Sequence, residues 1–416
     1  MNQTRLSNGV QVLTERIPGV RSAAIGVWVR QGSAHEPVDL MGASHLLEHL
    51  VFKGTEKRTA REIALALESL GGSLDAFTSR EHTSFQARVL DEHLPLALEV
   101  LADLVLSPVL RDEDLELERE VVLEEIATVL DTPDDLVFDL HGSRLWGGHP
   151  YGNKILGTRD TVGSMPGQAL RDLHRSRYTG RNLVVAAAGQ VKHEEVVEQV
   201  EMLFGSHPSG VSAPPLPDIP SNVMGDESAP RPTSQTHLVF GRAIPGHSDP
   251  RRFSLALLSS ALGGGMSSRL FQRVREELGL AYSVFTFQSF YSKAGISGVY
   301  VGTRPSTAEK AVEVVRRELD DVAQNGMPSG ELEQIKQQVK GQIMLSLEST
   351  GARLYRLASF SLHGEPFATL DELLGKIDSV TEKQVSDIGA EFFSPDGFFL
   401  LRLGPSGDLP QEPDVT

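Results

Sequence analysis

Near the start of this 416-residue chain, Gly42-Ala43-Ser44-His45-Leu46-Leu47-Glu48-His49-Leu50-Val51-Phe52 has the apolar spacing of a short helix, with three polar exceptions. At 3.6 residues per turn, His45 and His49 lie about 40° apart on the helical wheel and Glu48 within about 60° of His45. Two imidazoles four residues apart can share one metal ion, and a carboxylate beside them can reach water that the metal acidifies. The chemistry of that pattern is metal-assisted hydrolysis: the carboxylate takes a proton from water and passes it to the leaving amine. The plainer reading is an amphipathic helix with hydrogen-bonded surface histidines.

Cysteine is absent, so a transition metal must sit on Asp, Glu or one of 13 histidines. A catalytic zinc takes three protein ligands and keeps one open position. A third ligand is therefore expected on another helix, and the acidic stretch Asp112–Leu130 offers two. Glu118 and Glu125 are two turns apart and sit among Val121, Val122 and Ile126. Glu113, Glu116, Glu120 and Glu124 read as solvated charge or as partners of the helix N-terminus.

The elements that must position these residues follow a repeat. Ser206 to Gln235 contains seven prolines and no sustained periodicity, which predicts a linker near the middle of the chain. Shifting the sequence by 208 residues lays Glu68-Ser69-Leu70-Gly71 on Glu276-Glu277-Leu278-Gly279, and Phe77-Thr78 on Phe285-Thr286. Both halves then run two strands and a helix. With a slightly larger shift, the apolar run Asn182–Gly189 matches Gly397–Gly404. The expected fold class is α+β: two homologous units, each a sheet covered by helices, at 1–205 and 236–403, with a linker at 206–235. The Pro- and acid-rich residues 404–416 read as a disordered tail.

On these residues the chain resembles the pitrilysin/insulinase family of inverzincin metallopeptidases, and within it the short processing-peptidase-like branch. The carrying features are H-x-x-E-H and, 76 residues beyond His49, Glu125 in the context Glu118-Arg119-Glu120-Val121-Val122-Leu123-Glu124-Glu125. Gly71–Ser79, His149-Pro150-Tyr151-Gly152, Tyr178 to Asn182 and the glycine-rich Leu262–Leu270 extend the likeness over nearly the whole chain. The resemblance implies a zinc metalloendopeptidase with His45, His49 and Glu125 as zinc ligands, Glu48 as the base and Glu118 as an accessory acid. It also implies that substrate pairs as a strand with the segment around Asp75, Ala76 and Phe77. Asp75 stands where the family usually has Asn, which puts the side-chain contact in doubt but not the strand.

Under the overlay the ligand positions fall on Phe253, Ala256, Leu257, Ile335 and Gln342, so one Zn2+ per chain is expected. The second half keeps Arg275 and Tyr282, which the resemblance makes a substrate-contacting pair that helps hold the carbonyl oxygen opposite the zinc. The resemblance also implies that full-length relatives carry four such units around a chamber, of which two units make half. The expectation is a homodimer in which the pair serves the partner's zinc, with a heterodimer with an inactive homologue as the alternative. A non-catalytic scaffold or partner subunit is the competing function.

Composition narrows the rest. A formal net charge of −17 argues against a nucleic-acid partner. No apolar run is long enough to span a bilayer and no signal-peptide pattern opens the chain, so the expected location is cytoplasmic.

Overall fold

The computed structural model describes residues 1–219 and 223–405. In the first compact unit, six strands form one sheet: β1 (Asn2–Arg5), β2 (Gln11–Arg16), β3 (Ser22–Val29), β4 (Ser73–Thr78), β5 (Thr83–Leu90) and β6 (Leu183–Gly189). Their spatial order is β1-β2-β6-β3-β5-β4, with β2 and β6 parallel and the other neighbours antiparallel. Strand β6 is buried at every residue, as a central strand covered on both faces must be. Its sequence, Leu-Val-Val-Ala-Ala-Ala-Gly, accordingly has no polar alternation.

Four helices matter most for the argument: α1 (Ala43–Val51), α2 (Asp112–Asp131), α3 (Pro133–Leu145) and α4 (Thr350–Leu362). In the second unit the sheet comprises β7 (Gly225–Pro230), β8 (Thr236–Pro245), β9 (Ala281–Phe290), β10 (Ala294–Thr303) and β11 (Phe399–Gly404). Its order, β7-β11-β8-β10-β9, reproduces β2-β6-β3-β5-β4, and the β7–β11 pair is parallel like β2–β6. The chain is thus two copies of one α+β unit, as the internal overlay requires.

Two features differ from a linear reading. Strand β7 lies inside the Pro-rich stretch expected as linker. An edge strand with one partner exposes most of its side chains, so it needs no apolar alternation to announce it. The compact units are also discontinuous. The first contains residues 1–127, 153–217 and 344–367, and the second contains 128–152, 218–343 and 368 onward. Each unit therefore takes a helix from the opposite half of the sequence. Helix α4 packs on β2, β3 and β6, and its counterpart α3 packs on β8 and β11.

Helix α4 is fastened by specific contacts as well as by burial. Leu354, Leu357 and Ala358 pack with Trp28, Val184 and Ala186, each leucine worth about 1.5–3 kcal/mol. Arg30 donates to the carbonyls of Ser361 and Leu362, each at 2.6 Å, closing the helix C-terminus. Tyr355 stacks on Phe77 of β4 with ring centroids 5.4 Å apart. In the second unit Phe138 of α3 stacks on Tyr300 at 5.5 Å and lies against Phe285, the overlay partner of Phe77.

Of the expected tail, Gly404 ends β11, and residues 406–416 lie outside the described residues, as do 220–222 of the expected linker. Among the described residues no helix is long and apolar enough to cross a membrane.

Candidate metal centre

Helix α1 begins where the backbone leaves little room. Gly42 has φ +94, and a Cβ there would stand 2.7 Å from the carbonyl oxygen of Leu156, so glycine is required twice over. Glu36, 6 % exposed, supplies the missing N-cap from a preceding loop. Its Oε2 accepts the N–H of Gly42 at 2.8 Å and its Oε1 the N–H of Ser44 at 2.6 Å. Burial raises the Glu36 carboxyl to about 7, and the hydrogen bonds at Ser44 and Gly42 hold it back from going higher. Leu46, Leu47, Leu50 and Val51 enter the core, which leaves His45 and His49 on the opposite stripe.

Helix α2 is set by the same logic. It buries Leu115, Glu118, Arg119, Val122 and Ile126 along one side. Arg119 donates to the carbonyls of Val162 and Met165, the latter at 2.9 Å, fixing the helix rotation that aims Glu118 and Glu125 at α1.

The three expected ligands come together. His45 Nε2 lies 3.7 Å from Glu125 Oε2, and His49 Nε2 lies 3.7 Å from Glu125 Oε1. One ligand atom from each of the three lies within 4.8 Å of the others. Tetrahedral zinc holds its ligand atoms roughly 3.4 Å apart, so a small closure would seat the ion. Burial and then the neighbouring His49 lower His45 to about 4, which keeps its imidazole neutral, the form that binds metal. His45 Nδ1 is buried with no hydrogen-bond partner. Donor set, spacing and protonation fit a zinc ion. Among the described residues no second such cluster exists, and the overlay positions in the other unit carry no ligand.

Glu118 sits one step behind the three expected ligands. It is 5 % exposed, and its Oε2 lies 3.0 Å from His49 Nδ1. With Glu118 accepting a hydrogen bond from Nδ1–H, the Nε2 lone pair is left on the Glu125 side, free for a metal. Glu48 is 9 % exposed and accepts from Thr78 Oγ1 at 2.5 Å. Burial raises its pKa, and the hydrogen bond from Thr78 opposes that rise.

Asp75, Ala76 and Phe77 lie on β4, the edge strand of the first sheet. Ala76 faces the same side as Thr78 and the metal helix, whereas Asp75 and Phe77 face the side of α4. Arg275 and Tyr282 belong to the other compact unit. Arg275 rises from the widened helical turn Phe271–Glu277, with its guanidinium between the rings of Tyr282 at 4.7 Å and Phe271 at 4.8 Å. Tyr282 is 77 % exposed.

Three residues of this neighbourhood escaped the sequence reading. Thr78 shares a strand face with Ala76 and could have been found by alternation. Lys53, four residues past His49, lies in the turn that follows α1, where helical spacing no longer places a side chain. Glu36 acts from a loop, and no local pattern marks it.

Residues 11–159 match the family described as insulinase (peptidase family M16), and residues 164–339 match the peptidase M16 inactive domain. An uncharacterized zinc protease of Streptomyces coelicolor is 40 % identical over 94 % of this chain and 87 % of its own length. The uncharacterized zinc protease YmxG of Bacillus subtilis is 39 % identical over 97 % of this chain and 98 % of its own. Among solved structures, a peptidase M16 inactive domain from Pseudomonas fluorescens superposes with a TM-score of 0.92 at 20 % identity, covering 99 % of both chains. A protease from Helicobacter pylori gives 0.89 at 21 % identity, covering 97 % of this chain and 99 % of its own.

Proposed function

The chain belongs to the insulinase family of M16 peptidases, and on that premise we propose that it is a zinc metalloendopeptidase that cleaves peptides or unfolded segments. The observation that carries the reading is the convergence of His45, His49 and Glu125 on one point, with Glu48 beside them. The names of its relatives as zinc proteases support the choice of metal.

Zinc, when bound, supplies Lewis acidity, which makes water a nucleophile at neutral pH and polarises a peptide carbonyl. The protein's own part is proton transfer and positioning. Glu48 accepts a proton from water and returns it to the leaving amine. Its partly desolvated carboxylate has the raised pKa that such shuttling requires. Glu118 holds the His49 tautomer. Substrate adds as a strand to the free edge of β4, where main-chain hydrogen bonds give affinity with little sequence demand.

Arg275 and Tyr282 complete the site from a second chain, in a dimer that encloses the substrate. The exposure of Tyr282 and the stacking that pre-forms Arg275 support a role at a surface that meets another molecule. A homodimer suffices because ligands and pair occur in one sequence. The test is zinc content and peptide-library cleavage measured on the same gel-filtration peak. Stoichiometric zinc with cleavage in the dimer peak is expected. Zinc without cleavage would favour an inactive scaffold, and an active monomer would remove the dimer.

A further inference from the structure

Behind the first ligand helix runs a second chain of contacts that neither the family pattern above nor the spacing of ligands requires. Glu118 is nearly inaccessible, and its two oxygens are divided: Oε2 faces His49 Nδ1 at 3.0 Å, and Oε1 is paired with the ammonium of Lys53. Lys53 lies four residues beyond His49, in the turn that closes α1, so both ends of the bridge spring from the same stretch of chain. Its backbone is pinned as well. The Lys53 N–H bonds to the Leu50 carbonyl at 3.0 Å, and its own carbonyl accepts from Arg111 Nη2 at 3.1 Å. Arg111 in turn pairs with Asp114 Oδ2 at 2.7 Å in the first turn of α2.

We propose that Lys53 is a positioning residue for the metal centre, holding Glu118 at the one rotamer from which it orients His49; this rests on the zinc-peptidase reading above. A buried carboxylate with a single polar partner would be free to rotate away from the imidazole. With the ammonium on Oε1, rotation breaks two interactions at once, and the desolvated Glu118 charge stays compensated. Glu118 is the outer partner of His49, a kind of contact worth about 10–100-fold in metal affinity, and Lys53 acts through it.

The sign of the effect separates this role from plain electrostatics. Lys53 is a cation near a cation site, so through Coulomb repulsion alone its removal would tighten zinc binding. As a positioning residue, its removal loosens it.

The experiment measures zinc dissociation constants for the full chain by competition with a chromogenic chelator, with thermal unfolding of the metal-free proteins alongside. Lys53→Met should weaken zinc about tenfold, Lys53→Arg should restore most of the loss, and Lys53→Met in a Glu118→Gln background should add nothing. Unchanged or tighter zinc binding in Lys53→Met overturns the proposal. So does an undiminished effect in the Glu118→Gln background, or a fall in metal-free stability with zinc affinity intact. A wild-type chain that takes up no zinc would sink the peptidase reading together with this one; a zinc-binding wild type with an indifferent Lys53→Met sinks this one alone.

Discussion

Thr78 Oγ1 donates to Glu48 Oε2 at 2.5 Å, so the edge strand β4 and the helix α1 hold the same carboxylate from two sides. The strand proposed to receive substrate therefore also aims the proposed base. Thr78→Val keeps the shape and removes the donor. It should lower kcat roughly tenfold while zinc content stays stoichiometric, since a hydrogen bond to a charged group is worth about 1.5–3 kcal/mol. Peptide turnover and metal analysis on one preparation would check this, and wild-type kcat would detach Thr78 from the chemistry.

The ligand and base assignments separate in the same assays. Glu48→Gln should retain zinc and lose about a hundredfold or more in turnover, because an amide cannot accept the proton. His45→Ala and Glu125→Ala should lose zinc itself. Full metal occupancy in either would break the ligand set, and a Glu48→Gln enzyme with near-normal rates would break the base assignment.

The cap on α1 gives a stability prediction. Glu36→Ala leaves the buried N–H groups of Gly42 and Ser44 without their acceptors, a loss on the order of 3 kcal/mol. Gly42→Ala should cost at least as much, from its φ of +94 and the Leu156 carbonyl 2.7 Å from the new methyl. Denaturant unfolding of the metal-free chains measures both. An effect below about 0.5 kcal/mol in Glu36→Ala would mean that water replaces the cap.

Subunit mixing tests the proposed dimer. A Glu48→Gln chain and a chain carrying both Arg275→Ala and Tyr282→Phe should each be inactive alone. Mixed, they should regain activity, because one hybrid site pairs an intact base with an intact Arg275 and Tyr282. No recovery in a mixture that demonstrably exchanges subunits would assign the pair to its own chain or to no role.

Acid stability should follow the histidines whose charged form is disfavoured by desolvation. Burial is the main cause that lowers His35, His82 and His141 to about 4 from 6.5. A depressed histidine adds stability that is present above the unfolded pKa and lost as pH falls through the folded one. Metal-free stability should therefore decline between about pH 6.5 and pH 4. Glu36 works in the opposite sense, its contribution present below 4.5 and lost as pH rises through about 7. Glu48 and Glu318 are raised as well, and His45, His174 and His237 lowered, so three carboxyls stand against six imidazoles and the net slope stays positive toward neutral pH. Flat unfolding free energies over that range would contradict these assignments.

How much of this was legible depends on the range of the interaction. His45, Glu48 and His49 declare themselves because helical spacing places them on one face without help from elsewhere. Glu125 required a second helix, and the resemblance singled it out from Glu118. The paired strands around Phe77 and Phe285 were visible because the repeat carries the same order twice. Strand β7 was not, because an edge strand ending at Pro230 has little apolar pattern to show. The division of Glu118 between His49 and Lys53 was hidden because side-chain rotamers are set by packing across 69 residues of sequence.

The exchange of α3 and α4 has a consequence for how the molecule could be divided. Cutting the chain near residue 220 would give two fragments, each lacking a helix that its own sheet buries: Leu354 and Leu357 would be missing from one, Leu136 and Val137 from the other. Neither fragment would be a self-sufficient folding unit. Produced together, they would be obligate complements, so that a nick in the connecting segment would leave the assembly intact while separate expression would yield insoluble halves. The duplication visible in the sequence is thus not a pair of autonomous modules but a reciprocal structure in which each copy finishes the other.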